Sequence, residues 1–275
     1  MPNLNMNDNK QLPIGVFDSG LGGLTVVKEL SKILPKENLI YVGDTARVPY
    51  GTKSPDIIRR YAQQIAFFLL QKRAKMIVVA CNTASAVALK TLRGLPVPVV
   101  GVIDPGARAA ILSTVTMRVG VIGTPATVAS HAYKKAIRKY SSRAKVWEKP
   151  CPLFVPLVEE GWLTHPLTKK IAEEYLRPFI SKKLDTLVLG CTHYPLLKET
   201  LSSVMGKKVA LIDSAFETAR EVKQLLEKNN LLNASSKKGK LTFFATDRPH
   251  SFSRLAQQFL GRRSIQAKRL TFDSI

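Results

Sequence analysis

Two segments of the chain share one pattern, a short apolar run that ends at a cysteine and continues into small polar residues. The first is AKMIVVACNTAS at residues 74–85, and the second is LDTLVLGCTHYP at residues 184–195. An apolar run of this length followed by polar residues is typical of a buried strand in a parallel sheet. Because open α/β sheets bind ligands at the carboxyl ends of their strands, the pattern places Cys81 and Cys191 at a ligand site.

Two further matches indicate an internal duplication. IGVFDS at residues 14–19 resembles VGVIGT at residues 119–124, and VIDP at residues 102–105 resembles LIDS at residues 211–214. All the matches occur in the same order and at nearly constant spacing, and strands alternate with helices between them. The sequence therefore predicts an α/β fold of two pseudo-symmetric parallel-sheet domains, with the active site in the cleft between them. Two thiols facing each other across that cleft can take a proton from one face of a carbon and return one to the other face.

The repeat also predicts the domain boundaries. The first domain is expected to comprise residues 12–104 plus 214–275, because the segment after the second copy is available to complete it. The second domain is expected at residues 105–213, with one continuous helix near residues 126–140. Residues 1–11 are polar and carry no apolar pattern, so they are predicted to be a disordered tail.

Three cysteines in 275 residues do not make a disulfide framework, which is typical of a reducing compartment. Cys151 has no polar neighbour and is predicted to be an inert buried thiol. No apolar stretch reaches the length of a transmembrane helix, and the first residues lack the apolar region of a signal peptide. A cytoplasmic protein with no membrane partner is therefore predicted.

The charge balance is strongly basic, with 42 Lys and Arg against 20 Asp and Glu and a net charge of +22. Such a balance favours acidic partners, which include nucleic acid, an anionic membrane or an acidic metabolite. The cations are dispersed, and they do not interleave with aromatic residues as a base-stacking surface requires. A solvated surface is the simpler interpretation, and weak, salt-sensitive polyanion binding stays open.

Six motifs together resemble the glutamate racemase family of the aspartate/glutamate racemase superfamily: IGVFDSGLGG, YVGDTARVPYG, VVACNTAS, VGVIGTPAT, LFVPLVEEG and LVLGCTHYPLL. They occur in the family's order between residues 14 and 213. The resemblance implies an isomerase that interconverts L-glutamate and D-glutamate and supplies the D-isomer for peptidoglycan synthesis. It implies that no cofactor and no metal take part, and that glutamate is the small-molecule partner. It leaves open whether the protein is a homodimer.

The resemblance also implies roles for the polar residues beside the two cysteines. Cys81 would remove the Cα proton of the D-isomer, and Cys191 that of the L-isomer. A free thiol is mostly protonated at neutral pH, so each base needs a neighbour that helps to form the thiolate. Asp18 would assist Cys81, while His193, supported by Glu159, would assist Cys191. Local alternatives stay open: Asp18 as a turn residue, His193 as a packed core residue and Glu159 as a solvated surface charge.

Substrate binding would use hydroxyl groups, amides and backbone N–H donors, which suit carboxylates. For Pro49 and Gly51 the alternative is that they only shape a turn, and for Asn82 and Thr83 that they cap a helix. The positions that the resemblance implies are Asp18, Ser19, Pro49, Tyr50, Gly51, Asn82, Thr83, Thr124, Thr127, Thr192 and His193.

Other functions were weighed against the same residues. A zinc hydrolase could use Cys81, Cys191 and His193, but Cys-x-His is not a usual ligand spacing and a fourth ligand is not obvious. A cysteine-nucleophile transferase would leave the second matched cysteine unexplained. An aspartate racemase is the nearest competitor within the superfamily. A nucleic-acid-binding or regulatory protein on the same scaffold would account for the basic charge.

Overall fold

The structure, a computed structural model, describes residues 6–261 and 264–272. The described residues form two parallel sheets with helices packed on their faces. The strands are β1 Ile14–Asp18, β2 Leu39–Gly43, β3 Met76–Val79, β4 Val99–Gly101, β5 Arg118–Gly123, β6 Lys145–Pro150, β7 Thr186–Gly190, β8 Ala210–Ile212, β9 Leu241–Ala245 and β10 Ala267–Arg269. The helices are α1 Met6–Gln11, α2 Leu24–Ile33, α3 Pro55–Gln71, α4 Asn82–Leu92, α5 Ile103–Ser113, α6 Pro125–Ala129, α7 Ala132–Tyr140, α8 Phe154–Glu159, α9 Pro166–Ile180, α10 Lys198–Met205, α11 Ala215–Lys228 and α12 Pro249–Leu260. Short 3-10 helices cover Tyr50–Thr52 and Tyr194–Leu197.

The two sheets repeat one strand order. The first sheet runs β10-β9-β2-β1-β3-β4 and the second runs β6-β5-β7-β8, with every pair parallel. The order β2-β1-β3-β4 therefore recurs as β6-β5-β7-β8, and β9 and β10 extend the first sheet beyond β2. The predicted fold class is confirmed. The domain limits stay a prediction, and the one at residue 104 falls in the first turn of α5.

The strands that lead to the cysteines are interior strands, each paired with an edge strand of its sheet. Every residue of β3 and of β7 is buried, because helices cover both faces of the sheets. Cys81 begins the turn into α4, and Cys191 follows β7 directly. Each cysteine thus sits at the carboxyl end of a rigid, fully buried strand.

Two predictions of local structure were wrong. Residues 6–11, predicted as part of a disordered tail, form α1, while residues 1–5 lie outside the described part of the chain. The end of α1 is tied to the first sheet, since the Lys10 carbonyl accepts a hydrogen bond from Lys75 and the Gln11 carbonyl accepts one from Asn38. The helix predicted near residues 126–140 is divided into α6 and α7 by His131, whose φ is 53°.

Several elements were not predicted, namely α5, β6, α8, α9, α10 and β10. The sequence of β6, KVWEKP, carries charges and ends in a proline, so it lacks the apolar run of a buried strand. Within residues 6–261 and 264–272, no helix combines the length and the hydrophobicity that crossing a membrane requires.

Candidate active site

A cavity lies between the carboxyl edges of the two sheets and collects most of the predicted site residues. All the predicted site residues except Asp18 and Thr127 line this cavity. Val48 and Val155, which were not predicted, also line it. The predicted residues on its wall are Ser19, Pro49, Tyr50, Gly51, Cys81, Asn82, Thr83, Thr124, Glu159, Cys191, Thr192 and His193. Both copies of the repeat therefore contribute their cysteine to one cavity.

Cys81 occupies the N-cap position of α4. Its sulfur accepts a hydrogen bond from the Ala84 N–H at 3.4 Å and lies 3.8 Å from the Ser19 hydroxyl. Burial, together with the negative charge of Asp18, raises the pKa of Cys81 to about 12, although the Ala84 and Ser19 contacts act in the opposite direction. The thiol of Cys81 is therefore protonated at neutral pH.

Asp18 is fully buried behind the cavity wall. One carboxylate oxygen accepts from the Gly20 N–H at 3.0 Å, and the other accepts from the Thr192 hydroxyl at 3.5 Å. Thr192 follows Cys191, so Asp18 joins the loop of the first copy to that of the second. As an anion, Asp18 opposes a thiolate at Cys81, so it can assist that thiol only by taking its proton.

Cys191 lies beside His193, a residue that can carry a positive charge. Nδ1 of His193 lies 3.8 Å from the Cys191 sulfur, and Nε2 lies 3.3 Å from a carboxylate oxygen of Glu159. Burial alone lowers the pKa of His193, but the contacts with Cys191 and Glu159 outweigh it and raise the pKa to about 10. The Glu159 contact is an ion pair, because its angle is too poor for a hydrogen bond to the buried Nε2. His193 is therefore an imidazolium at neutral pH and provides the positive charge and proton donor that a Cys191 thiolate requires.

Three threonine hydroxyls join the two halves on another wall of the cavity. Thr83 Oγ1 lies 2.9 Å from Thr124 Oγ1 and 3.3 Å from Thr127 Oγ1, and the last two are 3.0 Å apart. Thr124 also caps α6 by accepting from the Thr127 N–H. Thr83 and Thr124 face the cavity, while Thr127 lies behind them and orients their hydroxyls.

Two glycines allow the halves to approach closely around the cysteines. A Cβ added to Gly22 would lie 2.2 Å from the Thr192 hydroxyl and 2.9 Å from Nδ1 of His193. A Cβ added to Gly51 would lie 2.5 Å from the Cβ of Thr124. All three distances are shorter than a van der Waals contact, so the residues beside the cavity require glycine at these two positions.

Comparisons with known proteins agree with this site. The family model described as Asp/Glu/Hydantoin racemase matches residues 14–222. The chain belongs to this racemase family. It is 50% identical over 260 residues to the glutamate racemase of Syntrophus aciditrophicus, which covers 94% of this chain and 96% of that protein. The prediction of the glutamate racemase family is thus confirmed.

Solved racemases share the whole fold. The RacE1 isoform of glutamate racemase from Bacillus anthracis superimposes with a TM-score of 0.92 at 39% identity, covering 96% of this chain and 98% of that one. The Francisella tularensis glutamate racemase, solved in complex with D-glutamate, gives a TM-score of 0.90 at 41% identity, covering 97% and 100%.

Two residues that support the site, Tyr133 and Asp44, were missed by the sequence analysis. Tyr133 on α7 is fully buried, and its hydroxyl donates to Oδ1 of Asn82 at 2.6 Å. The hydroxyl of Tyr50 donates to the buried carboxylate of Asp44, which also accepts from Arg47. Asp44 shares the motif YVGDTARVPYG with Tyr50, so that motif could have indicated the pair. No local pattern connects Tyr133 with Asn82, because they come from different copies of the repeat.

The third cysteine lies away from the site. Cys151 is fully buried in the core of the second sheet and does not line the cavity. Burial raises its pKa far above the usual range of a thiol, which keeps it protonated. Among the described residues, no group of three or more His, Cys, Asp or Glu side chains could hold a metal ion.

Proposed function

We propose that this protein interconverts L-glutamate and D-glutamate by moving the Cα proton between Cys81 and Cys191, without a cofactor. The observation that carries the proposal is the position of the two thiols. They follow equivalent strands of the repeat, β3 and β7, and line one cavity from opposite halves of the molecule. That arrangement suits a reaction in which one group removes a proton and the opposite group supplies one.

The surroundings of the thiols support a starting protonation state. His193, as an imidazolium, stabilises negative charge on the sulfur of Cys191, which acts as the base toward the L-isomer. Cys81, which is protonated at neutral pH, then delivers its proton to the opposite face of Cα. One turnover leaves Cys81 as the thiolate and Cys191 as the thiol, which is the state that acts on the D-isomer.

The cavity wall offers neutral donors for the substrate. The hydroxyls of Thr83 and Thr124 and the backbone N–H groups at the start of α4 suit the carboxylates of glutamate. The Asn82 oxygen is already bound to Tyr133, which leaves its amide N–H groups free to donate. No Lys or Arg is among the residues that line the cavity, so the imidazolium of His193 beside Cys191 is the positive charge on its wall.

The resemblance to glutamate racemases supports the proposal that this activity supplies D-glutamate for peptidoglycan in the cytoplasm. Whether the protein is a homodimer stays open, and so does the weak polyanion binding that the basic charge favours. The racemase activity needs neither, because the chain itself contributes both thiols.

Proton NMR in D2O with L-glutamate tests the proposal. We expect the Cα proton signal to disappear while the optical rotation decays, because the thiol returns deuterium to the carbon. Cys81→Ala and Cys191→Ala should each prevent both the loss of the Cα proton signal and the decay of the optical rotation. Cys151→Ala makes the same chemical change at a thiol outside the cavity, and this variant should still show both changes. Full racemisation by either active-site variant would contradict the two-thiol mechanism.

The same assay with L-aspartate tests the nearest alternative. Exchange with aspartate but not with glutamate would keep the mechanism and change the substrate. Exchange with neither amino acid, in protein that unfolds cooperatively on heating, would overturn the racemase proposal.

A further inference from the structure

A row of cations lies at the edge of the second sheet that is opposite the active site. The four helix-to-strand loops of a parallel sheet meet at its amino edge, and here each loop, or the first residue of the strand that follows it, carries exposed or half-exposed basic residues. The loop before β6 carries Arg143, β6 begins with Lys145, and β5 begins with Arg118. The loops before β7 and β8 carry two lysines each. The basic row therefore consists of Arg118, Arg143, Lys145, Lys182, Lys183, Lys207 and Lys208.

Hydrogen bonds join these loops into one continuous surface. Arg118 donates to the Lys182 carbonyl at 2.5 Å, the Lys145 N–H donates to the Met117 carbonyl, and the Ala210 N–H donates to the Asp185 carbonyl. Four neighbouring strands span about 14 Å, since strands lie about 4.8 Å apart. The seven cations of the basic row are thus concentrated on a narrow face, although they are far apart in the sequence.

Acidic side chains do not neutralise this face. The salt bridges among the described residues involve other cations. Asp185 is the acid within these loops, and its carboxylate accepts from the Thr114 hydroxyl and from the N–H groups of Val115 and Thr116. Cations at helix C-termini interact favourably with the helix dipole, and this interaction explains part of the basic row. It does not explain why apolar side chains lie beside the cations.

Apolar side chains project from the same edge. Val115 is 89% exposed in the loop before β5, and Leu112 in the last turn of α5 is 76% exposed. Ile180, the last residue of α9, is also exposed and directly precedes the loop that carries Lys182 and Lys183. The two hydrogen bonds from Val115 and Thr116 to Asp185 hold the first loop in place, so Val115 is presented to solvent by a fixed backbone.

We propose that this edge docks on an anionic phospholipid surface, with the basic row facing the headgroups and Leu112, Val115 and Ile180 entering the interface. Cations around exposed aliphatic side chains favour such a surface, because charge attracts the protein and apolar burial retains it. Nucleic acid would use the cations but would gain nothing from the aliphatic groups. The active site lies at the carboxyl edge of the sheet, so it stays open to solution on the docked protein.

Sedimentation with vesicles tests the docking surface. The probe is a vesicle of equal parts phosphatidylcholine and phosphatidylglycerol, with pure phosphatidylcholine as the neutral control. We expect binding to the anionic vesicles alone, falling steeply as salt rises. Lys182→Glu with Lys183→Glu should weaken it at least about tenfold, because each cation near an anionic surface adds about a factor of five.

Matched variants separate this surface from net charge. Lys237→Glu with Lys238→Glu makes the same charge change at the amino edge of the first sheet and should weaken binding much less. Leu112→Ser with Val115→Ser should weaken binding several-fold while leaving the net charge and the midpoint of thermal unfolding unchanged.

Three results would overturn the proposal. One is no binding to the anionic vesicles at physiological salt. Another is an equal loss from the charge reversals on the two sheets, which would indicate a response to net charge alone. The third is full vesicle binding by Leu112→Ser with Val115→Ser, together with equally tight binding of double-stranded DNA, which would indicate a general phosphate-binding surface.

Discussion

The two active-site thiols differ in their immediate neighbours. Cys81 is near a buried carboxylate, and burial with that charge raises its pKa to about 12. Cys191 is near His193, whose pKa is raised to about 10. Two residues with the same side chain and equivalent strands thus have neighbours of opposite charge. Asp18, from the first strand of its sheet, and His193, two residues after Cys191, make this difference.

The protonation of His193 can be measured directly by NMR of histidine rings. A raised pKa means that the imidazolium persists through neutral pH and is lost only as pH rises through about 10. We therefore expect one of the four histidines to keep its imidazolium shifts well above pH 7. Cys191→Ala should lower that pKa, because the sulfur stabilises the positive charge.

Two asparagine variants assign the signal. His193→Asn should remove the high-pKa resonance and lower kcat by about a hundredfold or more, as loss of a proton-transfer partner does. His131→Asn should leave the high-pKa resonance and kcat unchanged, because His131 lies outside the cavity and asparagine tolerates its left-handed backbone. Persistence of the resonance in His193→Asn would contradict the assignment.

At the scale of elements, the break between α6 and α7 is what forms one wall of the site. A continuous helix at residues 126–140 would be the simplest product of the apolar spacing. Instead, Thr124 caps α6, and its hydroxyl lies within hydrogen-bond distance of the Thr83 hydroxyl. A separate helix, α7, begins after His131. This helix carries Tyr133 to Asn82 on α4. Ser130 bridges the break locally, since its hydroxyl donates to the Thr127 carbonyl and accepts from the Ala132 N–H.

The Tyr133 contact predicts a substrate-binding defect at a distance. Tyr133→Phe removes the hydroxyl that orients Asn82, so we expect KM for glutamate to rise about tenfold with a smaller change in kcat. Stability should fall by about 1 kcal/mol, the usual worth of one hydrogen bond. Steady-state kinetics and thermal unfolding measure the two effects.

The same substitution elsewhere on α7 is the control. Tyr140 donates to Asp104 at 2.5 Å and is partly exposed, away from the cavity. Tyr140→Phe should leave KM unchanged. An equal rise in KM in both variants would show that α7 as a whole, and not the hydrogen bond to Asn82, affects binding.

At the scale of the molecule, a buried ion pair ties together distant parts of the chain. Lys75 Nζ lies 2.6 Å from Glu37 and also donates to the carbonyls of Lys10 and Leu231. The other oxygen of Glu37 accepts from the Asn233 N–H. Both side chains of the pair are nearly inaccessible to solvent. The pair thus fastens α1 and the segment after α11 to the first sheet.

Breaking this pair should destabilise the whole protein. Lys75→Met leaves the Glu37 charge buried without a partner, which costs about 3–5 kcal/mol. We expect the midpoint of thermal unfolding to fall by about 10 °C, given about 2–4 °C per kcal/mol for a chain of this size. Adding Glu37→Leu should recover part of the loss, because it removes the unpaired charge.

Lys198→Met provides the matched surface control. It breaks the exposed pair between Lys198 and Asp213, which should cost less than about 1 kcal/mol. An equally small loss from Lys75→Met would mean that the buried pair does not hold these segments together.

The sequence by itself determined the parts of this protein that depend on neighbours along the chain. Apolar runs that end in Cys81 and Cys191, followed by polar residues, identify the two strands and the edge where chemistry occurs. The length of each run and its abrupt end are local properties, so β3 and β7 were predicted in the segments where they occur. The six motifs indicated the family for the same reason, because each is a short run of neighbouring residues.

Only the tertiary structure decided which distant residues meet. The hydrogen bond from Tyr133 to Asn82 and the close approach of Gly51 to Thr124 depend on how two halves pack, which no local pattern encodes. The strands β6 and β10 form because a neighbouring strand offers hydrogen bonds, not because their sequences are apolar. The dispersed cations become one basic row only when four loops align at the edge of the second sheet, since parallel pairing brings all strand starts to the same side.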